Sequence, residues 1–439
     1  MSLRAGAAVR DISPRRPMFL VGYPHVPRTS TAINDPLLAS ALCLDDGRQS
    51  LLLISVDVLF ISSETARACR KDIQRATGVP VQNILISATH THSAPVTAAM
   101  LAWQNDPVVP PLDLQYLGEV CQGILGAATA AHATRVPARI AVARGRAPGV
   151  GGNRLSPTGT MDPEIGLLGV RRERDGQLVA VDLVYGMHPT VLHEDSTLVS
   201  ADFPGFARTQ ITERAPGAIV VYHTGPCGNL SPRYHVRGQT FTEAERLGRA
   251  LGAAAFDAMA ALADADYSDD VVLGAAHTLV NLPPREFPSL PEAETLRQQA
   301  VETYQRLQPS GADRGAIRTA ECAVFGAEEA VTLSRAQASG ALARWRARLM
   351  PAEVQVLRVG DAFLVGLPGE LFVEYGLEIK RRAPGPCSVI SLANGELQGY
   401  IVTPETEAAG GYEAAFSVFR AGSGAILVDT AVRLMEQFT

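Results

Sequence analysis

His90-Thr91-His92 is the part of this chain best suited to chemistry, because on extended backbone a His-x-His pair turns both imidazoles to one face, which is how a metal site begins. The run before it, Asn83 to Thr89, reads as a buried strand, and Ser93-Ala94-Pro95 stops it. The histidines therefore fall where a strand empties into a loop, the place where open α/β sheets keep their sites. Other polar corners interrupt the apolar framework. Arg154 ends Gly151-Gly152-Asn153-Arg154, His188 follows the strand pattern Val181 to Tyr185, and Asp202 lies in Ser200-Ala201-Asp202-Phe203-Pro204-Gly205. Ser231 lies in Cys227-Gly228-Asn229-Leu230-Ser231-Pro232 and Glu370 in Leu367-Pro368-Gly369-Glu370, and Tyr400 and Tyr412 follow. Each alone is a turn carrying a polar residue.

The elements that position these residues alternate in type. Leu51 to Val56 reads as a buried strand, followed by a helix from Ser62 or Ser63 to Ala76 that a hydroxyl caps and Gly78 and Pro80 stop. With the next strand this makes a βαβ unit, predicting parallel neighbours and placing Asp57 and His90 at one carboxyl edge. Asp57 is there either to support a ligating imidazole or to cap a loop. An Ala-rich helix from about Leu112 to Ala133 covers the sheet. Residues 140–143, 179–185 and 219–222 read as strands, and Thr242-Glu243-Ala244-Glu245 as a capping-box start to a helix ending near Ala263. From about Pro283 to Met350 the sequence turns Gln-, Arg- and Glu-rich at helical spacing, which predicts a pair of inserted surface helices acting as a lid or edge. Strands resume at 354–359 and 362–365, and a helix ends the chain. The expected fold is α/β: a mixed, largely parallel sheet core flanked by helices, with the metal site at strand ends. Residues 1–439 are expected to form a single domain, with the helical insert at about 283–350 inside it.

Composition narrows the function. At 439 residues and 46% hydrophobic the chain can bury a large core, and a net charge of -6 without long basic runs argues against nucleic acid as a partner. Lysine occurs only at Lys71 and Lys380, neither in a phosphate-loop context. Cys43, Cys69, Cys121, Cys227, Cys322 and Cys387 show no C-x-x-C pairing, which predicts reduced thiols. No export signal and no transmembrane segment is visible, so a cytoplasmic location is expected.

Taken in order, seven motifs resemble the catalytic domain of the neutral (alkaline, non-lysosomal) ceramidases over nearly the whole chain. They are Asp11-Ile12-Ser13-Pro14, Ala88 to Pro95, Asn153-Arg154, Met187-His188-Pro189, Gly228 to Pro232, Pro368-Gly369-Glu370 and Gly399 to Glu405. The resemblance implies one Zn²⁺ per chain, held by His90, His188, Glu370 and Tyr400, with His92, Arg154, Ser231 and Tyr412 on the substrate side. The twelve-residue step from Tyr400 to Tyr412 matches the spacing of the family's two active-site tyrosines.

The chemistry agrees with that set. Two imidazoles and a carboxylate are a common zinc shell, and a remaining position open to water acidifies it to a pKa of about 7. A phenolate ligand is unusual, since the metal must lower a pKa of about 10. Tyr412 would then stabilise an oxyanion, His92 would move a proton to the leaving amine, and Arg154 would orient the substrate. The expected activity is zinc-dependent hydrolysis of an N-acyl amide, and the expected partner is a small-molecule N-acyl amide, a lipid amide being one form of it. Two rival readings stand beside it: a metal-independent serine esterase using Ser231, and a noncatalytic homologue that only binds metal or ligand. Ser231 lacks a G-x-S-x-G elbow, and Pro232 removes the following N–H. Cys227 with His223 could be a nucleophile and base, although a small buried hydrophobe fits better there. Ala94 replaces the glycine usual in the family, and neither a C-terminal immunoglobulin-like domain nor a leader is seen, so a short soluble amide is expected over ceramide. For ceramide, Met18 to Tyr23 is the candidate membrane-facing stretch.

Overall fold

The computed structural model describes residues 2–23, 25–104, 106–312 and 314–438, so Met1 and position 313 of the expected insert lie outside the described residues. Counting strands of four residues or more, eight form one sheet: β1 (Arg4–Asp11), β2 (Leu38–Asp45), β3 (Ser50–Val56), β4 (Ile84–Ala88), β5 (Val136–Arg146), β6 (Glu164–Arg172), β7 (Leu178–Tyr185) and β8 (Ile219–Thr224). Their spatial order is β8-β7-β6-β5-β1-β2-β3-β4. The mixed α/β class is as expected, but the sheet is not largely parallel. Of its neighbouring pairs, β3–β4 and β7–β8 are parallel and the other five are antiparallel. The reason lies in the connections. The turn between β2 and β3 is closed by Gly47 (φ +79) and the one between β6 and β7 by Gly176 (φ +67). Loops that short join only antiparallel neighbours, whereas parallel ones need a crossover.

The crossover between β3 and β4 is α1 (Ser63–Thr77), capped by the Ser62 hydroxyl accepting from Thr65 N at 3.1 Å and ended by Gly78 at φ +78. α2 (Leu114–Ala133) packs on β1 and β2. α3 (Phe203–Arg214) and α4 (Phe241–Ala260) pack together against the β5 side. The start of α4 lies two residues earlier than expected, because it is the Thr240 hydroxyl that accepts from Glu243 N.

A second sheet contains β9 (Leu273–Val280), β10 (Ala352–Val359), β11 (Ala362–Gly366) and β12 (Cys387–Ile390), in that order. Between β9 and β10 the chain leaves the sheet to form α5 (Leu290–Leu307), α6 (Arg314–Ala338) and α7 (Ala341–Leu349), three helices where a pair was expected. α8 (Val373–Arg382) crosses from β11 to the parallel β12, and α9 (Gly422–Glu436) covers this sheet. One apolar layer that includes Leu42, Leu53, Leu85, Leu357, Leu364 and Ile390 joins the two sheets.

The large sheet curls until its two ends meet. Thr224 Oγ1 donates to Thr89 O at 2.6 Å, and the Ser55 hydroxyl donates to Tyr222 O. The segment after β12 stitches the join, with Ser391 N donating to Thr224 O at 2.9 Å and Asn394 N to Ile86 O at 2.7 Å. The curl gathers the carboxyl ends of β4, β7 and β11 in one place.

Candidate metal centre and active site

His90 leaves β4, His188 leaves β7 and Glu370 follows β11, so three strand ends supply the centre. Contrary to the expected extended His-x-His pair, His90 has φ +69 and lies beyond the strand. The left-handed turn, not strand alternation, aims its ring, with its backbone N held on Val58 O at 3.0 Å. Glu370 lies in a two-residue parallel ladder directly opposite Tyr400.

Three atoms converge. His90 Nε2 lies 3.1 Å from His188 Nε2, and Glu370 Oε2 lies 3.3 and 3.0 Å from those two nitrogens. Each ring is turned by a backbone carbonyl behind it: His90 Nδ1 contacts Leu59 O at 3.0 Å, and His188 Nδ1 contacts Cys227 O at 2.7 Å. Neutral imidazoles that donate from Nδ1 point bare Nε2 lone pairs at one another and at a carboxylate, which is repulsive without a cation between them. Donors about 2.0–2.1 Å from a tetrahedral ion lie about 3.3–3.4 Å apart, so the set fits a divalent metal. His92 belongs to the same group, with ligand-type atoms of His90, His92 and His188 all within 4.8 Å of one another. Its Nδ1 is held by Gly22 O at 2.9 Å, and its buried Nε2 has no hydrogen-bond partner.

Burial dominates the electrostatics. It lowers His188 to about 4, helped by Arg154, and it pushes His92 well below the usual imidazole value, helped by His90 and His188. Burial alone would raise Glu370, but positive charge beside it, on a protonated His90 or His188, outweighs burial and lowers the carboxyl far below the ordinary range. The Tyr400 phenol is pushed up by burial, and Arg154 beside it only partly opposes this.

The remaining expected residues gather here as well. Gly152-Asn153 and Leu230-Ser231 form one two-stranded ribbon, with Leu230 opposite Asn153 and Ser231 opposite Gly152, and Arg154 follows it, its N donating to Asn229 O at 2.8 Å. Arg154 is buried and its Nε donates to Glu413 Oε1 at 2.7 Å, while the Tyr412 ring lies 5.9 Å from the Tyr400 ring. Ser231 Oγ accepts from Arg233 N at 3.3 Å. Other corners serve the fold. Asp57 does not support a histidine but takes the alternative, a loop cap: Oδ2 accepts from Leu38 N at 2.8 Å, and both oxygens pair with Arg208, at 2.9 and 2.6 Å, in a buried ion pair. Asp202 caps α3, its carboxylate accepting from Phe203 N and Leu192 N. Leu20 and Val21 are buried and Phe19 lines a cavity, so Met18 to Tyr23 is interior wall and not a membrane-facing stretch.

Sequence reasoning missed three participants. Glu413 supplies the counter-charge that a buried Arg154 requires, and it lies next to the expected Tyr412. His193 stacks on Tyr23 at 4.6 Å and lines the larger cavity. Gly22 (φ +123) presses on His92: a Cβ there would lie 2.5 Å from His92 Nδ1. Its signal, a glycine at the end of an apolar run, was visible but not specific.

Two cavities meet at the centre and share Tyr23, His92, Tyr400 and Tyr412. The larger, about 760 Å³, carries the arginines and reaches His188, Arg154 and Ser231. The smaller, about 150 Å³, reaches His90 and Glu370 and is lined by Phe19, Leu59, Phe60, Met100 and Trp103. α6 walls both, through Arg318 and Cys322 on one side, Glu329 and Thr332 on the other, and Phe325 between.

A mixed α/β chain whose histidines and carboxylate meet at strand ends, between two cavities, has the layout of an α/β enzyme. Residues 4–220 match the family described as neutral/alkaline non-lysosomal ceramidase, N-terminal, and this region belongs to that family. The fold extends the likeness to the whole chain. A crystal structure of neutral ceramidase from Pseudomonas aeruginosa matches all of this chain and 75% of its own, with a TM-score of 0.74 at 19% identity. A structure described as ceramidase complexed with C2 matches all of this chain and 76% of its own, with the same TM-score at 18% identity. Family and fold together support a ceramidase-like amide hydrolase. No helix among the described residues is long and apolar enough to cross a membrane.

Proposed function

We propose that this chain is a zinc-dependent hydrolase of small N-acyl amides, with one Zn²⁺ held by His90, His188 and Glu370 and with Tyr400 as the fourth protein ligand. The convergence of two Nε2 atoms and one Oε2 within 3.0–3.3 Å carries this reading. When bound, the metal supplies Lewis-acid polarisation and an acidified water. The chain does the rest. Hydrolysis breaks the amide C–N bond, joins the water oxygen to the acyl carbon and delivers a proton to the leaving nitrogen. His92 Nε2 is the base placed to carry that proton, since Gly22 O fixes the other ring nitrogen. Tyr412 and Arg154 are the donors placed to hold the amide oxygen as it gains charge.

The smaller cavity sets the size of the apolar group. The apolar part of its wall, formed by Phe19, Leu59, Phe60, Met100 and Trp103, borders about 150 Å³, which suits a phenyl group or an acyl chain of about five carbons. The rival using Ser231 has less support: among the described residues, no imidazole is within hydrogen-bond distance of its hydroxyl. The test combines elemental analysis with hydrolysis of N-acyl amides of increasing chain length, with and without a chelator. The expected result is about one zinc per chain, chelator-sensitive turnover and a kcat/KM that falls beyond about six carbons. Chelator-insensitive turnover abolished by Ser231→Ala would select the esterase.

A further inference from the structure

The larger cavity holds more positive charge than hydrolysis of a neutral amide uses. Its lining includes Arg154, Arg233, Arg237 and Arg318 against Glu194 and Glu413. Arg154 is matched by Glu413 at 2.7 Å and Arg318 by Glu321 at 2.6 Å. Arg233 and Arg237 are not matched: among the described residues no carboxylate lies within 4.0 Å of either guanidinium, and of the two it is Arg233 that lies against Arg154. The Arg233 guanidinium donates to Arg154 O at 3.1 Å and to Cys322 Sγ at 3.7 Å, leaving most of its donors open on the cavity wall. A second observation points the same way. Arg154 Nη2 is buried without a hydrogen-bond partner, on a side chain 9% exposed. Half-buried and buried guanidinium donors left open are costly unless a ligand supplies the acceptor, and a carboxylate is the acceptor whose fork geometry they fit. The smaller cavity has no arginine in its lining; it combines apolar side chains with acidic ones, among them the Glu329 carboxyl, which burial pushes up to about 8.

We propose that Arg233, together with the open nitrogen of Arg154, forms a carboxylate-binding subsite. The substrate is then an amide with a short apolar group on one side of the scissile bond and a carboxylate on the other, either an N-acyl amino acid or the monoamide of a dicarboxylic acid. This rests on the amide-hydrolase reading and adds the charge of the substrate to it.

The experiment compares N-butanoylglycine, its neutral isostere N-butanoylglycinamide, and succinic acid monobutylamide on the zinc-loaded protein, with Arg233→Met and Arg233→Lys. The expected result is a kcat/KM at least tenfold higher for one of the two acids than for the neutral amide. Arg233→Met should lower that ratio by about ten- to a hundredfold, mainly through KM, and Arg233→Lys should keep part of it. Which acid is preferred shows on which side of the bond the carboxylate lies. A neutral amide cleaved as well as the acids, or a ratio untouched by Arg233→Met, overturns the subsite. If no amide is cleaved, the hydrolase reading fails and the subsite is judged by calorimetric binding of N-butanoylglycine. Binding by the wild type that Arg233→Met weakens at least tenfold upholds it, and equal binding overturns it.

Discussion

Two buried polar clusters begin three residues apart in sequence and differ in what they face. At the interior of the sheet join, Ser87 Oγ lies 2.7 Å from His223 Nδ1, and His223 Nε2 lies 3.0 Å from Asp182 Oδ1. Serine, histidine and aspartate in that order are the components of a nucleophilic triad, yet all three are sealed, at most 1% exposed, and line neither cavity. The cluster brings β4, β7 and β8 together, with the hydrogen bond running between Ser87 and His223. His90, His188 and Glu370 are nearly as buried, but they lie past the strand ends, where the two cavities meet. Residue type and pairing distance do not separate the two. Position along the strand does, because strand interiors end in packed side chains and strand ends open into loops.

Breaking each cluster should therefore give opposite results. The largest effect is expected from Glu370→Gln, which keeps the shape and removes the anionic ligand. Bound metal should fall below about a tenth of the wild-type content and turnover by more than about a hundredfold, while the metal-free protein unfolds at an unchanged or higher temperature. Asp182→Ala should do the reverse, lowering unfolding free energy by about 1–3 kcal/mol in urea while the folded fraction keeps its metal. Metal lost from the Asp182 variant and retained by the Glu370 variant would exchange the two assignments.

Smaller effects sharpen the contrast. Gly22→Ala places a methyl against His92 at a backbone angle that side chains rarely adopt. Zinc content should hold, and kcat should fall about tenfold as the proton carrier is displaced. The smallest effect concerns Glu329, a buried carboxyl with no imidazole to offset its burial, which raises it to about 8. The folded state then binds more protons than the unfolded one between about pH 4 and 8, so this group's contribution is full below about pH 4 and is lost as pH rises through 8. Glu329→Gln should flatten that part of the stability profile, measured by denaturation at several pH values. An unchanged slope would show that the carboxyl is solvated in solution.

The βαβ unit of β3, α1 and β4 was legible because its hydroxyl cap, glycine stop and apolar runs all agree. β1 was not: Arg-Ala-Gly-Ala-Ala-Val-Arg-Asp has little strand propensity, and its pairing with β2 comes from tertiary packing. The site was legible as motifs because they pair in space, Asn153 with Leu230 and Glu370 with Tyr400. That pairing crosses large sequence gaps, which no local pattern reveals. Likewise the aim of His90 depends on a left-handed turn, and the role of Gly22 on the ring it abuts, so His-x-His pointed to residues that do converge, but through the wrong backbone.

β9 and β10 pair in unbroken register from Leu273 opposite Val359 to Val280 opposite Ala352, although α5, α6 and α7 intervene. The chain departs and returns at adjacent points of one hairpin, so the helices can lengthen, shorten or be replaced without shifting a strand pairing or moving a ligand. What enters the cavities is thus set by a segment whose attachment to the sheet is a single hairpin, apart from the strand ends that carry His90, His188 and Glu370. A graft of a foreign helical insert between Val280 and Ala352 would transfer selectivity as a cassette.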